Sequence, residues 1–230
     1  MNTTISSPQS NSAKFRIPFT YKYLNPYFYY YAFERRLNNY NDKKAGLDFT
    51  IVNYKPIALG LDPKESYSSE PSGNIFLGRI LKDLGVSRND SIIDIGCGKG
   101  SAMRYMLKFP FKKVAGVEIS EQLCSIARKN FEIMGAKNTT IYHSDATLFK
   151  SYDDFNIIYF YNPFPKIIME KVIKNLEEML ESKPRKLIII YDYPTCHESI
   201  IASGVFRQMN IKKKYRDQQG FDIKLYTNMP

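Results

Sequence analysis

At 230 residues, with 43% hydrophobic and 24% charged side chains, the chain has the length and composition of one soluble globular domain carrying an extension. Disorder is not the default, and no uninterrupted apolar run approaches the roughly 20 residues of a membrane helix. The formal net charge of +10 favours an anionic partner. Yet the basic residues fall in short clusters (Lys43-Lys44, Lys112-Lys113, Lys212-Lys213-Lys214) among acids, which reads as a scattered basic surface.

Three cysteines, Cys97, Cys124 and Cys196, stand far apart with no CxxC pair. This pattern implies reduced thiols in a cytoplasm, with neither a disulfide framework nor a zinc site. His143 and His197 are too few for a histidine cluster. The first dozen residues are rich in Ser, Asn and Thr and lack the apolar stretch of a secretory signal.

In chain order, residues 1–20 are expected to be a flexible tail and residues 21–70 a helical extension on the substrate side of the domain. The run Tyr27-Phe28-Tyr29-Tyr30-Tyr31-Ala32-Phe33 suits an aromatic-faced helix, with Pro26 tolerated in its first turn. Residues 71–230 alternate helix and strand signals. Ile75, Leu77, Ile80, Leu81 and Leu84 share a helix face, and Gly85 ends that helix. Strands are predicted at 91–95, 113–119, 139–143, 155–161 and 186–193, with helices between them. Ser120 caps the helix that carries Leu123, Ala127, Phe131 and Met134. Two further strands are expected at 206–215 and 221–227; in the second, Ile223 and Leu225 alternate with polar residues. Continuous apolar runs followed by an alternating one predict an α/β, Rossmann-like doubly wound sheet, mostly parallel, with an antiparallel strand near the C-terminus.

The chemistry concentrates at Ile92-Ile93-Asp94-Ile95-Gly96-Cys97-Gly98-Lys99-Gly100. Glycines between a strand and a helix let a ligand approach backbone amides. The spacing is GxGxG, without the third glycine of a dinucleotide fingerprint, and no P-loop signature follows. Asp94 immediately before the turn opposes a pyrophosphate and suits an ammonium group. Glu118, ending the second strand, can accept bonds from a ribose diol. Asp145, after the third strand, falls where an acceptor could take an adenine amino group. In this architecture strand carboxyl ends converge on the ligand crevice.

Asp94 to Gly100, Glu118, Asp145 and Asn162-Pro163 together resemble the ordered motifs of class I S-adenosylmethionine-dependent methyltransferases. More narrowly, Asp42 to Asp48, Ser69-Glu70-Pro71, DIGCGKG, Pro110 to Lys113 and Tyr161-Asn162-Pro163-Phe164 resemble a largely uncharacterised bacterial group of them. The resemblance implies S-adenosylmethionine as cofactor. It implies that Asp94 orients the methionine amino group, that Gly96, Cys97, Gly98 and Gly100 pass beneath the cofactor, and that Glu118 holds the ribose. Ile119 would lie against adenine, Asp145 and Ala146 at its edge, and Glu70 would close over the cofactor. Asn162 and Pro163 would face the transferable methyl, with Asp192 and Tyr193 as further catalytic candidates. Cys97 is a small packing residue without a catalytic role.

Asn162-Pro163-Phe164-Pro165 differs from the Asp/Asn-Pro-Pro-aromatic motif of amino-methyltransferases by exchanging the second proline and the aromatic. A protein amine or a small metabolite is the expected acceptor, with a nucleic-acid base the alternative. A nicotinamide-dependent oxidoreductase is the competing reading of the same architecture, and a non-catalytic binding module a third.

Overall fold

The computed structural model describes residues 26–49, 72–73, 75–210, 215–216 and 222–229. The expected tail and the position of Glu70 lie outside the described residues. The strands are β1 (Ser91–Ile95), β2 (Lys113–Glu118), β3 (Thr139–His143), β4 (Ile157–Tyr161), β5 (Ile188–Asp192), β6 (Arg207–Gln208), β7 (Tyr215–Arg216) and β8 (Asp222–Thr227). The helices are α1 (Pro26–Ala45), α2 (Ile75–Asp83), α3 (Ser101–Met106), α4 (Glu121–Ile133), α5 (Lys166–Ser182) and α6 (His197–Ala202), with a 3₁₀ turn at Ser151–Asp154.

The strand order is β3-β2-β1-β4-β5-β8-β6, with β7 also paired to β8. The first five strands run parallel, and β8 enters antiparallel beside β5. This is the mostly parallel Rossmann-like sheet expected from the apolar runs. β1 shows why it forms: Ile92, Ile93 and Ile95 are β-branched and fully buried, each worth about 1.5–3 kcal/mol.

Alternate side chains along each strand feed two cores. Ile93, Ile95, Val117, Ile158, Phe160 and Ile189 pack under α5 and α6. Ile92, Val114, Ile157, Tyr159 and Ile190 pack under α2, α3 and α4. In α4, the Ser120 hydroxyl accepts the Leu123 N–H at 3.4 Å, as its position predicted.

Two boundaries differ from expectation. The extension helix runs on to Ala45 and stops at Gly46, whose φ is +74°. The strand predicted over 206–215 appears as β6 at Arg207–Gln208, with residues 209–210 outside any strand; residues 211–214 lie outside the described residues, and Tyr215–Arg216 pairs with β8 as β7.

Candidate functional site

Parallel pairing brings the carboxyl ends of β1, β2, β4 and β5 to one edge. Register sets Asp94 opposite Gly116 and Tyr159, and Tyr161 opposite Asp192. Side chains directly opposite one another share a sheet face. Asp94, Tyr159, Tyr161, Asp192 and Glu118 therefore crown the face whose lower part is covered by α2, α3 and α4.

The turn after β1 is built from backbone bonds. Gly96 and Cys97 both donate their N–H to the Val117 carbonyl, at 2.8 and 3.0 Å. Gly98 donates to Glu118 Oε2 at 2.9 Å, and Ser120 donates to Oε1 at 3.0 Å. Gly96 and Gly100 have φ of +82° and +85°, a region that L side chains resist. A Cβ at Gly96 would come within 2.8 Å of Pro163 Cβ, and one at Gly100 within 2.6 Å of the Phe131 ring. Pro163, at the end of β4, thus lies directly on the turn. Cys97 is buried with its sulfur over Gly116, where a Cβ would collide with it, and burial pushes its thiol well above the ordinary range.

Asp94 is 1% exposed, and its Oδ2 is buried without a hydrogen-bond partner. Burial, reinforced by the neighbouring Glu118 charge, pushes its pKa up to about 8. Burial raises Glu118 too, opposed by the N–H groups of Ser120, Gly98 and Ile119. Ile119 is exposed beside them, and its carbonyl lies 3.0 Å from His143 Nε2. Asp145 spends Oδ1 on the Thr147 N–H and hydroxyl, at 2.7 and 2.8 Å, in a turn that follows β3. The Ala146 carbonyl accepts the Tyr152 hydroxyl at 3.0 Å.

At the ends of β4 and β5, Asn162 and Tyr193 are, among the described residues, the non-glycine positions with positive φ, +38° and +52°. Such backbone strain is retained where surrounding structure enforces it. Here the Asn162 N–H donates to the Asp192 carbonyl, and the Thr195 hydroxyl donates to Asn162 Oδ1 at 2.5 Å. Asp192 is 1% exposed and accepts the Tyr159 hydroxyl at 3.4 Å. Phe164 turns away from this edge into the opposite core, edge-on to Phe160 at 6.1 Å. His197 begins α6 and pairs with the Tyr226 hydroxyl at 2.8 Å.

The structure also ties in Lys99, Asp42 and Asp48, which the motifs contained without a role, and Asn130 and Arg104, which lie outside them. Lys99, within the turn, is buried and bonded to both carboxylate oxygens of Asp48, at 2.7 and 2.8 Å. The Asn130 side chain accepts the Asp48 N–H and donates to the carbonyls of Asp48 and Lys99. Arg104 pairs with the buried Asp42 at 2.7 Å. Ser72 is buried, and Gly73 lies on Ala102 at the start of α3. Asp42, Asp48 and Lys99 stood within the quoted motifs without an assigned role, and Asn130 showed as a polar residue inside the apolar stripe of α4.

Residues 92–183 match the family described as a methyltransferase domain. That match spans 92 of the chain's 230 residues. No curated protein matches the whole sequence. Among solved structures, a mutant of MtNAS aligns with a TM-score of 0.53 at 17% identity, covering 68% of this chain and 60% of that one. A mutant MtNAS in complex with S-adenosylmethionine gives 0.50 at 18% identity, covering 68% and 63%. An S-adenosylmethionine-dependent methyltransferase from Aquifex aeolicus gives 0.50 at 16%, covering 66% and 89%. The chain thus spans about 60% of the length of MtNAS, and these likenesses establish the fold. Among the described residues no helix is long and apolar enough to cross a membrane, and no group of His, Cys, Asp and Glu could hold a metal ion.

Proposed function

We propose that the protein is a cytoplasmic S-adenosylmethionine-dependent methyltransferase acting on a nitrogen or oxygen nucleophile of a protein or small molecule. It belongs, on this reading, with the bacterial group that its DIGCGKG and YNPF motifs resemble. The observation that carries the proposal is Asp94: a buried carboxylate with an unbonded oxygen, beside a glycine turn whose shape leaves no room for Cβ atoms. Burying such a group without a partner is costly, so a cationic ligand that supplies one is favoured.

The residues fit the cofactor in kind. Asp94 would take its amino group, Gly96, Cys97, Gly98 and Gly100 would carry it on their backbone, and Glu118 would hold the ribose hydroxyls. Ile119 would cover one adenine face, with Asp145 Oδ2 and Ala146 at its edge and Glu70 contributing from the segment before Ser72. When bound, S-adenosylmethionine supplies an electrophilic methyl on a sulfonium. The protein's part is alignment, and positioning of this kind can contribute roughly 7–11 kcal/mol. Asn162, fixed by Thr195 and by its strained backbone, presents its carboxamide to the acceptor's N–H or O–H, with Pro163 setting the approach against the turn. Asp192 and Tyr193 stand at the same edge, and Asp192 is the carboxylate suited to take the acceptor's proton.

Phe164 speaks for a protein amine or metabolite over a nucleobase. It is 7% exposed in the core under α5, so it does not offer the stacking face that a planar base needs.

The test has two stages. Calorimetry with purified full-length protein should give saturable binding of S-adenosylmethionine and S-adenosylhomocysteine, and none of NAD. Absence of binding by folded protein would sink the proposal. Tritium transfer from labelled cofactor into cell extract, pretreated with protease or with nuclease, then identifies the acceptor class. Loss of label after nuclease alone would make the acceptor a nucleic acid.

A further inference from the structure

We infer that Asp48, in the extension, sets how strongly the cofactor turn discriminates a sulfonium from its neutral thioether, by neutralising Lys99. The inference rests on the proposal that this turn binds S-adenosylmethionine.

Lys99 lies between Gly98 and Gly100, so its backbone is part of the surface on which the ligand rests. Its side chain is 7% exposed, and both oxygens of Asp48 bind its ammonium, at 2.7 and 2.8 Å. Asp48 is itself held from three sides. Asn130, a buried residue of α4, takes its N–H at 2.8 Å, returns a bond to its carbonyl at 2.9 Å, and reaches the Lys99 carbonyl at 3.2 Å. Phe49, the next residue, is buried against Phe131, with the Arg104 guanidinium 5.1 Å from its ring centre. One asparagine thus fixes the lysine's backbone and the backbone of the acid that answers its charge.

The charge balance gives this arrangement its consequence. The methyl donor carries a permanent positive charge on sulfur, and the demethylated product carries none there. An uncompensated ammonium inside the turn would repel the donor more than the product, and at a buried site that repulsion is weakly screened. Asp48 cancels it. A residue outside the strand-end motifs therefore favours the incoming cofactor over the spent one.

The experiment measures dissociation constants of S-adenosylmethionine and S-adenosylhomocysteine by calorimetry, on the full chain, and follows their ratio. Asp48→Asn should raise the donor-to-product ratio of dissociation constants roughly fivefold, the order expected of one uncompensated, partly screened charge near the site. The double variant Asp48→Asn with Lys99→Met should return it to within about twofold of the parent. Lys99→Met alone should move the ratio the opposite way, which keeps the idea testable should Asp48→Asn fold poorly. Equal weakening of both ligands in Asp48→Asn, or an unmoved ratio in Lys99→Met, overturns the inference and leaves Asp48 a structural tie. If the parent protein binds neither ligand, the cofactor assignment itself has failed.

Discussion

Asp94 carries most of the site's electrostatic tension, and its titration is readable in two ways. The fold raises its pKa from 3.8 to about 8, so between those values the folded protein keeps a proton that the unfolded chain has released. Its contribution to stability is complete below pH 3.8 and is lost as pH rises through 8. Asp94→Asn should therefore raise the melting temperature of the ligand-free protein at pH 8, on the order of 5 °C, with little change at pH 4. Binding an ammonium requires the ionised carboxylate, so S-adenosylhomocysteine affinity should rise roughly 25-fold from pH 6 to 7.5 and flatten in the variant. A pH-independent affinity in the parent would show that Asp94 does not meet the ligand. At Gly96 the constraint is steric. Gly96→Ala combines a φ of +82° with the clash against Pro163, and denaturant unfolding should register a loss of about 1–3 kcal/mol. Both residues were legible in the sequence, since a carboxylate and glycines at a strand end announce their backbone setting. Thr195 was not: its bond to Asn162 joins two adjacent strand ends that lie 33 residues apart in the chain.

Among the elements, β1, β2, β4 and β5 could be read from the sequence because each is an apolar run buried on both faces; β3, only half-buried, was marked by its place between a helix and the next turn. The strand at Arg207–Gln208 could not be bounded, because both of its side chains are exposed and it carries no apolar run. The attachment of α1 was likewise hidden. It depends on Asp42 meeting Arg104 across 62 residues, a contact that no local pattern encodes. That contact is now open to measurement. Asp42 is buried and Arg104 is its salt-bridge partner, so Arg104→Ala strands a carboxylate in the interior. Breaking a buried pair costs about 3–5 kcal/mol; with Arg104 partly exposed, about 2–3 kcal/mol is expected in urea unfolding. Asp42→Asn should cost less, since the amide needs no counter-charge. Equal losses in the two variants would mean that packing, not charge, holds α1.

For the whole molecule, the sheet separates two apolar cores, and β1, β2, β4 and β5 end together at one edge of it. On the proposed function, a ligand at that edge would rest on the turn after β1 and on the strand ends, so it should stabilise the fold as a unit. At a hundredfold excess over the dissociation constant, S-adenosylhomocysteine should raise the melting temperature by roughly 5–10 °C. A shift below 1 °C under saturation confirmed by calorimetry would show that the unfolding transition is insensitive to the site. The insertion of β8 between β5 and β6 has a consequence for biosynthesis. As the chain leaves the ribosome, β1 to β5 emerge well before Asp222–Thr227, and until then β5 offers an open ladder of amides and carbonyls. A nascent chain stalled near residue 220 would present that apolar margin to its neighbours, so its hazard is strand-swapped aggregation, relieved when the antiparallel strand is released and zips the margin shut.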